Sequence, residues 1–206
     1  MRGGNVPWVS RDGATTREGG RRDEIVAQAV ALFDAKGYAG TSVSDIAGAV
    51  GLSKPALYHW IQHKEDILYW IHEDVSQMLL VNARARLEQH IPPREQLHGV
   101  ARDLLGLMDT HRDWLRVFFE HFRELESERQ ELIMARRAEY QGLVQGMIES
   151  GIASGAFRAG DPALATNAFF GACVWAYQWF KPDGPLTSEQ VADVIFDLLL
   201  GGLEAR

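Results

Sequence analysis

Residues 33–68 read FDAKGYAGTSVSDIAGAVGLSKPALYHWIQHKEDIL, and the architecture follows from the spacing inside that run. Val43, Ile46, Ala47 and Val50 recur on one helix face, behind Ser42 and Asp45 at the spacing of a capping box. Gly51 permits a left-handed turn. Ser53 can cap the next helix, and Pro55 sits in its first turn, where a missing N–H is tolerated. Upstream, Ile25, Ala29, Leu32 and Phe33 mark another helix that Gly37 can close. Three short helices in about 45 residues, the last two joined by a glycine turn, describe a helix-turn-helix at about 43–62. The second helix of such a pair fits the DNA major groove while the first braces it across the backbone. The same pattern also fits a plain corner between two helices of a bundle.

Helical periods continue through the rest of the chain. A long helix is expected from Lys64 to about Glu88, with Ile67, Leu68, Ile71, Val75, Met78 and Leu79 inside. After Pro92-Pro93, Leu97, Ala101, Leu104, Leu105 and Met108 repeat, and then Trp114, Phe118 and Phe122 four apart. Ser127 and Gln130 have capping-box spacing before a helix carrying Tyr140, Leu143, Val144, Met147 and Ile148. Asp161-Pro162 opens a helix expected to run to Lys181, and Thr187 with Gln190 caps the last, to about Glu204. No alternating strand pattern occurs. The expected class is all-α with about nine helices, divided into an arm (1–20), a helix-turn-helix domain (21–68) and a helical body (69–206).

With 206 residues, 46% hydrophobic and 24% charged, the chain is an ordinary globular one. Its one cysteine, Cys173, excludes a disulfide framework and reads as a small buried hydrophobe. No apolar run reaches the ~20 residues of a membrane span, so a soluble, cytoplasmic protein without a membrane partner is expected. The net charge of −7 argues against a generally basic nucleic-acid binder, but its distribution qualifies that. Residues 1–70 hold 8 basic and 8 acidic side chains, so the whole excess of acid lies downstream. Arg2, Arg11, Arg17, Arg21 and Arg22 give the front of the chain a local positive excess.

The segments Phe33–Tyr38, Thr41–Val43, Asp45–Ala47, Val50–Lys54, Leu57-Tyr58 and Lys64–Leu68 together resemble the TetR family of transcriptional regulators, without a gap from about Arg21 to Leu68. The resemblance implies an all-α homodimer that binds a double-stranded, pseudo-palindromic DNA operator and senses a ligand through its body. It implies that Thr41 and Ser42 hold a phosphate at the N-terminus of the brace helix. Ser53 and Lys54 would open the reading helix, Pro55, Ala56 and Tyr58 would face bases, and His59, Trp60 and Lys64 would lie against the backbone. The chain departs from the family at Trp60, where Tyr or His is usual, at Ile61 for Phe, and at His63 for a capping Ser. The stretch Trp179–Thr187 resembles a turn in the branch that governs fatty-acid and sterol-ring catabolism and responds to CoA thioesters.

In the body, Met108, Trp114, Phe118, Phe122, Tyr140 and Met147 are candidates to line a site for a small apolar ligand, an acyl-CoA first. The last two helices are the expected dimer face, through Phe169, Ala172, Trp175 and Ala176 on one and Val191, Val194, Ile195 and Leu198 on the other. No nucleophile elbow, phosphate loop, dinucleotide fingerprint or metal-ligand spacing occurs, so no catalytic residue, cofactor or metal is assigned. A cofactor-free helical-bundle enzyme and a helical protein-interaction module are the alternatives.

Overall fold

The computed structural model describes residues 16–158 and 160–203, and all regular structure among them is helical. The helices are α1 (Thr16–Lys36), α2 (Val43–Ala49), α3 (Lys54–Leu57), α4 (Lys64–Glu88), α5 (Pro93–Thr110), α6 (Arg112–Glu120), α7 (Ser127–Ala153), α8 (Pro162–Val174), α9 (Ala176–Trp179) and α10 (Ser188–Leu203), with a 3₁₀ turn at Phe122–Glu124. The helix expected over 161–181 is thus two, broken at Trp175. α1 begins at Thr16, so the last residues of the expected arm are helical; residues 1–15, with Arg2 and Arg11, lie outside the described residues. Among the described residues no helix is long and apolar enough to cross a membrane.

The chain forms two compact units, one ending at Ile71 and the other starting at His72, so that α4 contributes to both. In the first, Ile25, Val26, Ala29, Val30 and Phe33 of α1 close over Ile46 and Ala47 of α2, Leu57 of α3, and Ile67, Leu68 and Ile71 of α4. All of them are buried, and the apolar core they make holds α2 and α3, which are too short to be stable alone.

The second unit packs α5 against α10 and α7, and α7 against α8, around one apolar cluster. Polar groups fix the register of these helices. The His98 ring stacks on Phe196 at 4.5 Å and its Nε2 lies 2.7 Å from Asp193, which also pairs with Arg102. Arg86 of α4 pairs with Asp103 of α5 at 2.7 Å, and its guanidinium fills the space that a Cβ at Gly99 would take. Burial still pushes the Asp103 carboxyl above the usual range, against the pull of Arg86. Cys173 is fully buried, and burial pushes its thiol up to about 12.

Two local expectations change. α7 starts one residue earlier than a Ser127 cap requires: Glu126 holds the cap position and makes no side-chain capping bond, and Gln130 instead donates to the Leu125 carbonyl at 2.6 Å. On the expected dimer face, Phe169, Ala176 and Val191 turn inward, at 1%, 0% and 4% exposure, because the body's own core claims them. Ala172 and Ile195 are half-buried, whereas Trp175, Val194 and Leu198 are exposed, together with Leu164 and Trp179.

Candidate nucleic-acid interface and body site

Ser42 caps α2 in both directions. Its hydroxyl oxygen accepts from the Asp45 N–H at 3.1 Å, and its own N–H donates to Asp45 Oδ2 at 2.8 Å. The Ser42 hydroxyl also donates to Asp45 Oδ2 at 2.6 Å, and this bond with the one from the Ser42 N–H holds the Asp45 carboxyl below its ordinary range. At the other end of α2 the chain reverses through Gly51, with φ +65°, while the Leu52 N–H returns to the Ala47 carbonyl at 2.8 Å. A left-handed residue of this kind is strained unless it is glycine. Ser53 then accepts from the Ala56 N–H at 3.3 Å, and helical bonding runs on beyond α3 to Ile61, whose N–H reaches the Leu57 carbonyl.

Leu57 and Ile61 anchor the underside of this helix in the core. Its other side presents Ser53, Lys54, Pro55, Tyr58 and His59 to solvent, with Ala56 and Trp60 half-buried at the margins. The Lys54 ammonium stands 6.0 Å from the Tyr58 ring. A cation, a pyrrolidine and a phenol are thus all exposed, offering a donor, a charge and an apolar edge of the kinds that can meet bases and phosphates.

Two residues expected at the DNA backbone have other tasks. Thr41 is 2% exposed, and its hydroxyl donates within the fold, toward the Gly37 carbonyl at 2.9 Å and the Leu32 carbonyl at 3.2 Å. The Lys64 ammonium donates to the carbonyls of Tyr38 and Thr41 at 2.6 and 2.8 Å and lies 4.0 Å over the Tyr38 ring. Both close the loop between α1 and α2, where free carbonyls would otherwise be left unbonded. Ser42 remains exposed.

Sequence spacing missed Asp66 and Arg21. Asp66 Oδ2 accepts from the backbone N–H groups of Gln62 and His63 at 2.6 and 2.8 Å, so α4 is capped from its third position without the family's serine at His63. An acidic residue three places into a helix was the available signal. Arg21 donates to the Val50 carbonyl at 3.0 Å, tying α1 to the end of α2.

In the body, Met108, Phe118, Tyr140 and Met147 share the buried cluster, and Trp114 packs against it. Phe122 is half-buried, and His72 and Arg137 each meet both it and Phe118. His72 is fully buried, and burial, with Arg137 and His121 nearby, holds its imidazole down at about 3. The unfolded chain therefore binds a proton at this residue below about pH 6.5 while the folded chain does not, and stability falls as pH drops from there toward 3. The slope from this one residue is up to about 1.4 kcal/mol per pH unit. The urea midpoint of the wild type should drop between pH 6.5 and 5 more steeply than that of His72→Phe; equal slopes would contradict a buried neutral imidazole.

Comparison with known proteins gives two family matches. Residues 25–68 match the family described as bacterial regulatory proteins, tetR family, and residues 90–203 match the tetracyclin repressor-like C-terminal domain. The chain is similar to the HTH-type transcriptional repressor KstR2 of Mycolicibacterium smegmatis, 26% identical over 185 residues that cover 89% of this chain and 90% of the relative. Among solved structures it is similar to the TetR family regulator PfmR from Thermus thermophilus, at 34% identity and a TM-score of 0.82 over 89% of this chain and 100% of the other. It is also similar to AibR, solved in complex with isovaleryl coenzyme A and operator DNA, at 31% identity and a TM-score of 0.79 over 87% and 98%.

Proposed function

The chain belongs to the TetR family, a transcriptional repressor type and not an enzyme, and from that premise we propose a cytoplasmic homodimer that reads a pseudo-palindromic operator and leaves it when an apolar ligand binds the body. The observation that carries the DNA reading is the face of α3 on which Lys54, Pro55 and Tyr58 stand exposed above buried Leu57 and Ile61. Ser53, Ala56, His59 and Trp60 flank that face, and Ser42 at the start of α2 supplies a phosphate contact.

Dimer formation rests on the exposed apolar side chains of α8, α9 and α10. Trp175, Val194 and Leu198 of the expected face are exposed, as are Leu164 and Trp179, and these five form the interface in this reading. A two-fold pair also suits an operator whose half-sites lie one or more helical turns apart.

The ligand site lies among Met108, Trp114, Phe118, Phe122, Tyr140 and Met147, and the ligand is an acyl-CoA. AibR, with isovaleryl coenzyme A bound, supports that class, as does the body's apolar cluster. α4, roughly 37 Å long at 1.5 Å per residue, is the covalent link through which the body acts on the reading helix. A ligand releases the operator only as far as it prefers the released state. Titrating the protein–operator complex with acyl-CoAs, free acids and aromatic drugs tests this. Release by CoA thioesters is expected; release by free acids or drugs alone would discard the acyl-CoA, and no release by any would discard the sensor.

A further inference from the structure

Buried polar groups ordinarily have hydrogen-bond partners. Three side chains of the body break that rule, two of them one turn apart on α4 and the third on α7. His72 is fully buried with neither ring nitrogen bonded, and Ser76, one turn further along the same side of α4, is 4% exposed with its hydroxyl unbonded. Arg137 of α7 donates once, to the Phe118 carbonyl at 3.2 Å, and its Nε is buried without a partner.

Two of the three converge on one pair of rings. The His72 ring is 4.9 Å from Phe118 and 5.8 Å from Phe122, and the Arg137 guanidinium is 4.2 and 4.5 Å from the same two. No carboxylate among the described residues pairs with Arg137, while its neighbour Arg136 pairs with Glu73 at 3.0 Å. Such an arrangement destabilises a fold that has no use for it: two neutral polar groups without partners, beside a half-buried cation without a counter-charge.

We propose that His72, Ser76 and Arg137 form the anion-holding end of the body's ligand site, taking a carboxylate or phosphate oxygen carried by an apolar molecule that packs on Phe118 and Phe122. This rests on the reading of the body as a ligand sensor. The charge sense selects the ligand. A neutral imidazole, a hydroxyl and a guanidinium all donate to one acceptor, and only an acceptor with negative charge also balances Arg137. A cation would meet Arg137 with like charge, and an alcohol would leave it unbalanced.

The test uses the full chain with decanoate, decanoyl-CoA and decan-1-ol as probes, reading affinity by calorimetry and melting temperature without probe. Wild type should bind at least one of the two anions about tenfold or more tighter than the alcohol, as expected for hydrogen bonds to a charged group. Preference for decanoate assigns the site to a carboxylate, and preference for decanoyl-CoA to a phosphate. His72→Phe and Ser76→Ala should melt at or above the wild-type temperature yet lose about tenfold in affinity for the anion. Arg137→Gln should lose the preference for anion over alcohol. If the alcohol binds as tightly as the anions, or His72→Phe and Ser76→Ala keep full affinity, the proposal is wrong while the sensor reading stands. If those two variants melt several degrees lower, the groups serve the fold and the proposal is again wrong. If no probe binds the wild type, the proposal and the sensor reading fail together.

Discussion

Trp175→Glu is expected to turn a dimer into monomers and to remove operator binding almost entirely. The indole is 62% exposed on the single chain, near the break between α8 and α9, and Leu164 of α8 at 67%, Trp179 of α9 at 50%, and Val194 and Leu198 of α10 at 53% and 75% are exposed as well. Large apolar side chains left exposed on the last helices point to an interface, and aromatic anchors at the centre of one carry most of its binding energy. In a two-fold interface each substitution occurs twice, and a carboxylate buried there without a partner costs several kcal/mol. Dimer affinity should therefore fall by more than about a hundredfold. Because Trp175 lies outside the core, the variant should keep its helical circular dichroism. Light scattering at micromolar concentration decides the matter: a variant still dimeric would remove Trp175 from the interface.

Lys54→Ala with Tyr58→Ala should abolish specific DNA recognition without unfolding the reading domain. Tyr58 is 45% exposed and Lys54 is exposed, so neither truncation opens the core beneath them. A good base contact is worth about 1–3 kcal/mol, roughly a five- to hundredfold loss for each residue. If Lys54 meets a phosphate instead, its loss weakens binding to all sequences alike and lowers the salt slope by about 1. Leu57→Ala is the contrasting control. That side chain is fully buried in the same short helix, and its truncation should destabilise the domain by about 2–5 kcal/mol. Gel shifts and thermal melts on the three variants separate the two classes. Unchanged operator binding in the double variant would mean that α3 does not read DNA.

What could be read from the sequence alone was largely what is encoded locally. The bounds of α4, the capping box at Ser42, the Ser53 cap, the Thr187–Gln190 box and the Asp161 cap all depend on residues three or four apart, and all occur as their spacing implies. The roles of Thr41 and Lys64 were not legible in that way. Lys64 bonds carbonyls 23 and 26 residues away, and no spacing rule points to such partners. The inward turn of Phe169, Ala176 and Val191 has a similar cause: periodicity shows that a face is apolar but not whether the same chain or a second copy covers it. His72 and Ser76 escaped a search for apolar periods because they are polar, although His72 stands four residues after Leu68 and Ser76 follows Val75 on the inner side of α4.

Selection from a pool of random-sequence DNA duplexes, with the purified full chain at two salt concentrations, addresses the DNA-reading role without a known operator. Enrichment of an inverted repeat is expected, its half-site centres separated by one or more helical turns of about 34–36 Å. Affinity for the enriched site should fall steeply as salt rises. A pool that stays unenriched, or binding indifferent to both sequence and salt, would contradict the assignment of α2 and α3 as a DNA-reading pair.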